Sequence, residues 1–313
     1  MRLGAWIASG VALATTAGLA GCGATSGENA GTAGPIAFSG RQAAGGPRHL
    51  YVVNADGSEL RQLTRTDGDA EPSWSPDGTM IAFKRWDGGP CGRPHRDCAQ
   101  IWVVGHDGAG ARRLTGRSRR SEAPDWSPDG TRIAFVQWQD DENPFANQTD
   151  IYVMRADGRG QRRLTTTPGD DGNPAWSPDG TMIAFTSDRA GNFDIYVMRA
   201  DGSGVRRLTG TPTPELAPAW SPDGRRIAFQ NGRNQVVVMD TDGGNQQAVS
   251  PPPAWDGQPA WSPDGNEIAF LRGSVGSEVL YVMGSDGSEP RWLDLAEVRE
   301  PVDPDWAPAR ASG

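Results

Sequence analysis

The chain has 313 residues, enough for one large domain or two small ones, and a formal net charge of −9. That balance excludes a surface built for nucleic acid, and of the 30 basic residues only Lys84 is a lysine. Gly (42) and Pro (25) are abundant, which fits many tight turns between short strands.

The first predicted element is a leader. Arg2 is followed by the uncharged apolar stretch AWIASGVALATTAGLA, and this runs into Leu19-Ala20-Gly21-Cys22. The pattern resembles the lipobox of bacterial lipoproteins, which implies cleavage after residue 21 and acyl chains such as palmitate on Cys22. An ordinary secretory signal or a membrane anchor would not need a cysteine there. Losing residues 1–21 removes Arg2 alone, so the mature chain is more negative still and has no net attraction to anionic lipid. Acyl chains would then carry the attachment, and two or more suffice. Residues 22–34 (from Gly23, GATSGENAGTAG) read as a lipidated flexible tether. The expected location is extracytoplasmic, held to a bacterial membrane.

From Ile36 onward the chain repeats itself. Trp74, Trp126, Trp176, Trp220 and Trp261 each open a WSPDG, and Trp306 in DPDWAPA is a degenerate sixth copy. Their spacings are 52, 50, 44, 41 and 45 residues. IAF recurs from Ile36, Ile81, Ile133, Ile183, Ile227 and Ile268. After each IAF comes an apolar stretch such as IYVMRADG, then a short segment such as RRLT. Each repeat reads as four strands: the P-x-W segment, IAF, an IYVM strand apolar on both faces, and an arginine-bearing outer strand. Four-stranded units at this period build a β-propeller, and six units make six blades. The series starts at strand two and ends at strand one, so the fold class is all-β: a six-bladed propeller with 1+3 ring closure. The propeller is expected over residues 35–309 and a short tail over 310–313.

These motifs resemble the repeat of the TolB-type propeller family, with WD-like Pro-Asp turns, over nearly the whole mature chain. The resemblance implies the propeller fold. Some members carry an α/β domain ahead of the propeller, for which Gly23–Gly34 leaves no room. Related propellers precede a hydrolase domain in prolyl-oligopeptidase-type enzymes, whereas this chain stops at Gly313, just after closure.

Candidate functional residues follow from the two faces. The one-to-two and three-to-four connections are short and alike, whereas the two-to-three and four-to-one connections are long, varied and together on the other face, where binding usually lives. Trp86, Trp138 and Phe145 sit on or beside the two long insertions and are candidate rim anchors, or else cover the loops' own small core. An acid precedes most P-x-W segments: Asp69 and Glu71, Glu122, Asp171, Glu215, Asp256 and Glu300. On innermost strands these would ring one channel mouth and hold a calcium ion or a cationic group, or simply bond loop amides. Cys91 and Cys98 read as a disulfide in an exported chain, worth about 2.5 kcal/mol for so small a ring. A metal site with His95 is the alternative reading.

The expected function is a monomeric binding or scaffold module for an envelope protein, peptide or glycan, with no catalytic residues. The competing expectation is a glycan lyase or glycosidase using channel-mouth carboxylates, with Glu122 and Asp171 as the residues to replace.

Overall fold

The computed structural model describes residues 34–90, 97–139, 148–251, 255–274 and 276–308. The leader, Cys22, all of the tether except Gly34, Cys91, His95, Phe145 and the tail lie outside them.

The described chain forms six four-stranded antiparallel sheets. Blade 1 holds β1 (Ile36–Arg41), β2 (Arg48–Val53) and β3 (Arg61–Gln62). Blade 2 runs β4 (Asp69–Trp74), β5 (Met80–Pro90), β6 (Asp97–Gly105) and β7 (Arg112–Arg113). Blade 3 runs β8 (Ser121–Trp126), β9 (Arg132–Trp138), β10 (Thr149–Arg155) and β11 (Arg162–Arg163). Blade 4 runs β12 (Asp171–Trp176), β13 (Met182–Ser187), β14 (Asp194–Arg199) and β15 (Arg206–Arg207). Blade 5 runs β16 (Leu216–Trp220), β17 (Arg226–Gln230), β18 (Val236–Asp240) and β19 (Gln247–Ala248). Blade 6 runs β20 (Asp256–Trp261), β21 (Glu267–Arg272), β22 (Val279–Gly284) and β23 (Arg291–Trp292). The last strand, β24 (Arg299–Trp306), returns to blade 1 and pairs with β1, Ile36 opposite Trp306 and Ala37 opposite Asp305. The 1+3 closure read from the motif order is the observed one.

The WSPDG turns owe their uniformity to one hydrogen-bond set. In the turn after β12, Ser177 Oγ donates to Asp179 Oδ1 at 2.6 Å and accepts from the Met182 amide at 2.9 Å. Asp179 Oδ1 accepts from the Thr181 amide at 3.0 Å, and these bonds, the serine hydroxyl's first, hold the Asp179 carboxyl below its ordinary range. The glycine takes φ +69°, as Gly180, and a Cβ there would stand 3.3 Å from Pro128 Cγ of the preceding turn. One turn therefore closes its own hairpin and seats the next blade.

The core is divided among the blade junctions. Ile36, Phe38 and Tyr51 of blade 1 pack with Leu271, Leu280 and Trp306, while Ala37, Leu50 and Val52 from the opposite face pack with Trp74, Ile81 and Phe83. The isoleucine and phenylalanine of every IAF are no more than 1% exposed. Each blade thus buries one face against each neighbour, as strands apolar on both faces require. At the rim, the first arginine of strand four reaches the next blade's turn. Arg61 donates to the His106 carbonyl at 2.6 Å, Arg162 to that of Asp201 at 2.9 Å, and Arg206 to those of Thr241 and Asp242 at 3.1 Å. These arginines staple blades together besides charging an outer edge.

Deleting residues 302–313 removes most of β24 and exposes the apolar faces of β1 and β20. Expected is loss of the single cooperative thermal transition, read by circular dichroism. A truncated chain melting like the intact one would contradict the closure.

Candidate functional site

The channel walls come from the inner strands β24, β4, β8, β12, β16 and β20, and each carries a bulge just before its proline. The bulged residues are Glu71, Ala123, Asn173, Ala217, Gln258 and Asp303, all at φ between 47° and 54°. Left-handed backbone is uncommon for residues other than glycine, so a sixfold recurrence marks a built feature. All six line a central cavity of about 280 Å³. A second cavity of about 350 Å³ adjoins it toward the WSPDG turns and shares Ser73, Asp125, Trp261 and Asp305.

Among the seven nominated acids Glu71 alone lines either cavity. Most of the others turn sideways onto a basic partner. Asp69 accepts two bonds from Arg85, at 2.6 and 2.8 Å, and Asp256 two from Arg272, both at 2.8 Å. Asp171 is held by Arg189 at 2.8 and 3.0 Å, and Glu300 by Arg41 at 3.0 Å and Arg48 at 3.6 Å. Glu215 lacks such an arginine, because Asn231 stands at the position that Arg85 and Arg272 take after their own IAF segments. It accepts from the Thr211 hydroxyl, and burial, with Asp194 nearby, pushes its carboxyl up. Among the described residues no group of three or more His, Cys, Asp or Glu side chains is arranged to hold a metal ion. Six of the seven acids have an arginine or lysine as partner, and Glu215 is the exception.

The remaining acid, Glu122, joins the rim to the channel. Arg120 donates to its Oε2 at 2.7 Å and the Trp138 indole to its Oε1 at 2.8 Å. The Arg120 guanidinium lies 5.3 Å from the Trp86 ring centroid and 4.8 Å from that of Trp138, a cation held between two aromatic faces. Lys84, the sole lysine, contacts Glu71 and lies 3.7 Å from Glu122. Burial would lower the Lys84 pKa, but Glu71 and Glu122 outweigh it and hold the ammonium above its usual range. Burial also works to raise Glu122, and Lys84 and Arg120 overcome it, so this carboxylate stays below the ordinary range. A continuous line of contacts runs Trp86, Arg120, Glu122, Lys84, Glu71.

Trp86 is 37% exposed and lies within β5, opposite Ala99 of β6. Trp138 is half-buried by its bond to Glu122. Phe145 falls outside the described residues, as do Cys91 and His95, so the Cys91–Cys98 pairing and the metal alternative lie outside them too. Cys98 is fully buried, and Gln100 Nε2 sits 2.9 Å from its sulfur.

Sequence reading missed Lys84, Arg120 and the carboxylates of Asp125, Asp303 and Asp305. Asp125 and Asp305 had a signal. The residue before each repeat tryptophan reads Ser73, Asp125, Ala175, Ala219, Ala260 and Asp305, and only acids would carry charge inward from there.

The family described as TolB beta propeller domain matches residues 35–149 and 121–310. The chain belongs to this family. An uncharacterized protein of Agrobacterium fabrum is 32% identical over 97 residues, 30% of this chain and 33% of the relative. The Tol-Pal system protein TolB 1 of Novosphingobium aromaticivorans is 36% identical over 83 residues, 26% of this chain and 17% of the relative. The chain thus spans a third or less of these relatives' length. The crystal structure of TolB from Acinetobacter baumannii superposes with a TM-score of 0.69 at 24% identity, covering 88% of this chain and 67% of that one, which shows the shared fold.

Replacing Lys84 with Met leaves Glu71 and Glu122 facing each other without their shared cation. The expected cost is about 3–5 kcal/mol of unfolding free energy, measured by denaturant titration at neutral pH. A neutral result would mean that Arg120 alone suffices.

Proposed function

We propose that this TolB-type propeller is an exported, lipid-anchored binding module of the bacterial envelope, and that its partner is an envelope protein docking on the loop-rich face. The observation that carries the reading is the Trp86–Arg120–Trp138 stack. Trp86 comes from the extended end of β5, Trp138 from the end of β9 and Arg120 from the connection between β7 and β8, so three separate segments converge on one face. The stack restrains an exposed tryptophan before any partner arrives, which lowers the ordering cost of binding. Tryptophan and arginine are also the side chains that most often dominate interface energetics. The name of the Novosphingobium relative, a Tol-Pal system protein, supports an envelope setting.

The geometry disfavours a glycan-cleaving reading. Glu122 is tied by Arg120, Lys84 and Trp138, and Asp171, only 1% exposed, has both oxygens on Arg189. Neither is poised as an acid or base over an open cleft. Acylation at Cys22, which the lipobox resemblance implies, and a Cys91–Cys98 disulfide, which export favours, belong to the same proposal.

A photo-crosslinking residue in place of Trp86 tests the docking face in intact cells, with the same residue at Ser203, in a turn on the opposite face, as control. One discrete adduct from position 86, absent from position 203 and weakened by Arg120→Ala, is expected. The same adducts from both positions, or none from either, would overturn the reading. Cys22→Ser is expected to move the protein from the membrane to the soluble fraction, and retention in the membrane would refute the anchor.

A further inference from the structure

The six blade junctions are latched in two chemically different ways. At three of them the side chain before one tryptophan reaches the backbone amide of the next. Asp305 Oδ2 accepts from the Trp74 amide at 2.7 Å, Ser73 Oγ from the Trp126 amide at 3.2 Å, and Asp125 Oδ2 from the Trp176 amide at 2.7 Å. Among the described residues the indole N–H groups of these three tryptophans have no partner. At the other three junctions the residue before the tryptophan is alanine, and the next indole donates to its carbonyl. Trp220 Nε1 bonds Ala175 at 3.1 Å, Trp261 Nε1 bonds Ala219 at 3.2 Å, and Trp306 Nε1 bonds Ala260 at 3.0 Å. The division follows the ring: blades 1 to 4 are joined by side-chain oxygens, and blades 4 to 1 by indoles.

The two carboxylate latches share one channel, with Ser73 between them at 3.5 Å from Asp125 Oδ1. The walls around them carry two other charged side chains, Glu71 on β4 and Asp303 on β24. Glu71 holds Lys84 of β5 to itself, and Asp303 is bonded by Gln258 of β20 at 2.7 Å. The inner strands of blades 4 and 5 contribute Asn173, Ala217 and neutral neighbours. Arg132 on β9 is occupied over the Trp176 ring, 4.7 Å from its centroid, and with Asp129 at 3.8 Å. Among the described residues no cation pairs with Asp125 or Asp305.

We infer that the ring has a proton-responsive half, in which the junctions of blades 1 with 2 and 3 with 4 loosen when Asp305 and Asp125 are both ionised, while the indole-latched junctions are indifferent to pH. Two like charges confined in one narrow channel without a counter-ion repel each other, and opening a junction admits the water that solvates them. Burial, first of all, pushes both carboxyls up to about 7, and Asp305 adds to the shift at Asp125. An acid whose pKa is higher folded than unfolded binds more protons in the folded chain between those two values. Its contribution is therefore greatest below the ordinary carboxylate range and is lost as pH rises through about 7.

Hydrogen exchange on protein labelled with ¹⁵N-tryptophan reads both kinds of latch in one sample. After correction for base-catalysed intrinsic exchange, the Trp74 and Trp176 amides are expected to lose protection by about tenfold or more as pH rises through neutrality. The indole N–H groups of Trp220, Trp261 and Trp306 are expected to keep theirs. The double variant Asp125→Asn, Asp305→Asn retains an acceptor for each amide and is expected to abolish the difference. Parallel loss at both sets of probes, or no loss at either, would overturn the inference from the wild-type data alone.

Discussion

A four-stranded blade that is apolar on both faces cannot remove itself from water. It needs a neighbour on each side, and the neighbour has the same need. A linear stack would leave two faces wet at its ends, so the only arrangement that satisfies every blade is a closed ring. Here closure depends on β24 lying against β1, with Trp306 beside Ile36 in a core that also takes Leu271 and Leu280 of blade 6. Every other device in the molecule works within that constraint. The arginine staples at the rim, the turn glycines beside their neighbours' prolines and the tryptophan latches at the hub all tie one blade to the next rather than strengthening any blade by itself.

The same architecture governs the charges. Inner strands converge on one axis, so acids there would repel one another unless each found its own cation. Asp69, Asp171 and Asp256 do so by turning onto arginines of their own blades, and Glu71 and Glu122 by sharing Lys84. Asp125 and Asp305 are differently placed. They spend their oxygens on backbone amides of the next blade, which satisfies the amide and leaves the charge uncompensated. The stack of Trp86, Arg120 and Trp138 belongs to the first group. Its guanidinium is neutralised by Glu122, so what the rim offers to a partner is a braced aromatic surface more than a free positive charge.

Much of this was legible from the chain alone. The tryptophan spacing, the IAF and IYVM strands and the terminal P-x-W segment determined the blade count, the strand order and the closure. These are local signals: a turn is specified by Ser177, Asp179 and Gly180 within a few residues, and strand character by the adjacent side chains. The rim tryptophans were visible for the same reason, because long insertions interrupt an otherwise regular series. What only the tertiary structure decided is which acids face the axis and what each one touches. A bulge at the residue before every proline turns that side chain inward, so a place on an innermost strand did not by itself put Glu122 or Asp171 in the channel. The partners that matter are then 16 residues away within a blade, as Arg85 is from Asp69, or 51 to 231 away across a junction, as Trp176 and Trp74 are from Asp125 and Asp305. No local pattern encodes those distances; they exist only once the ring has closed.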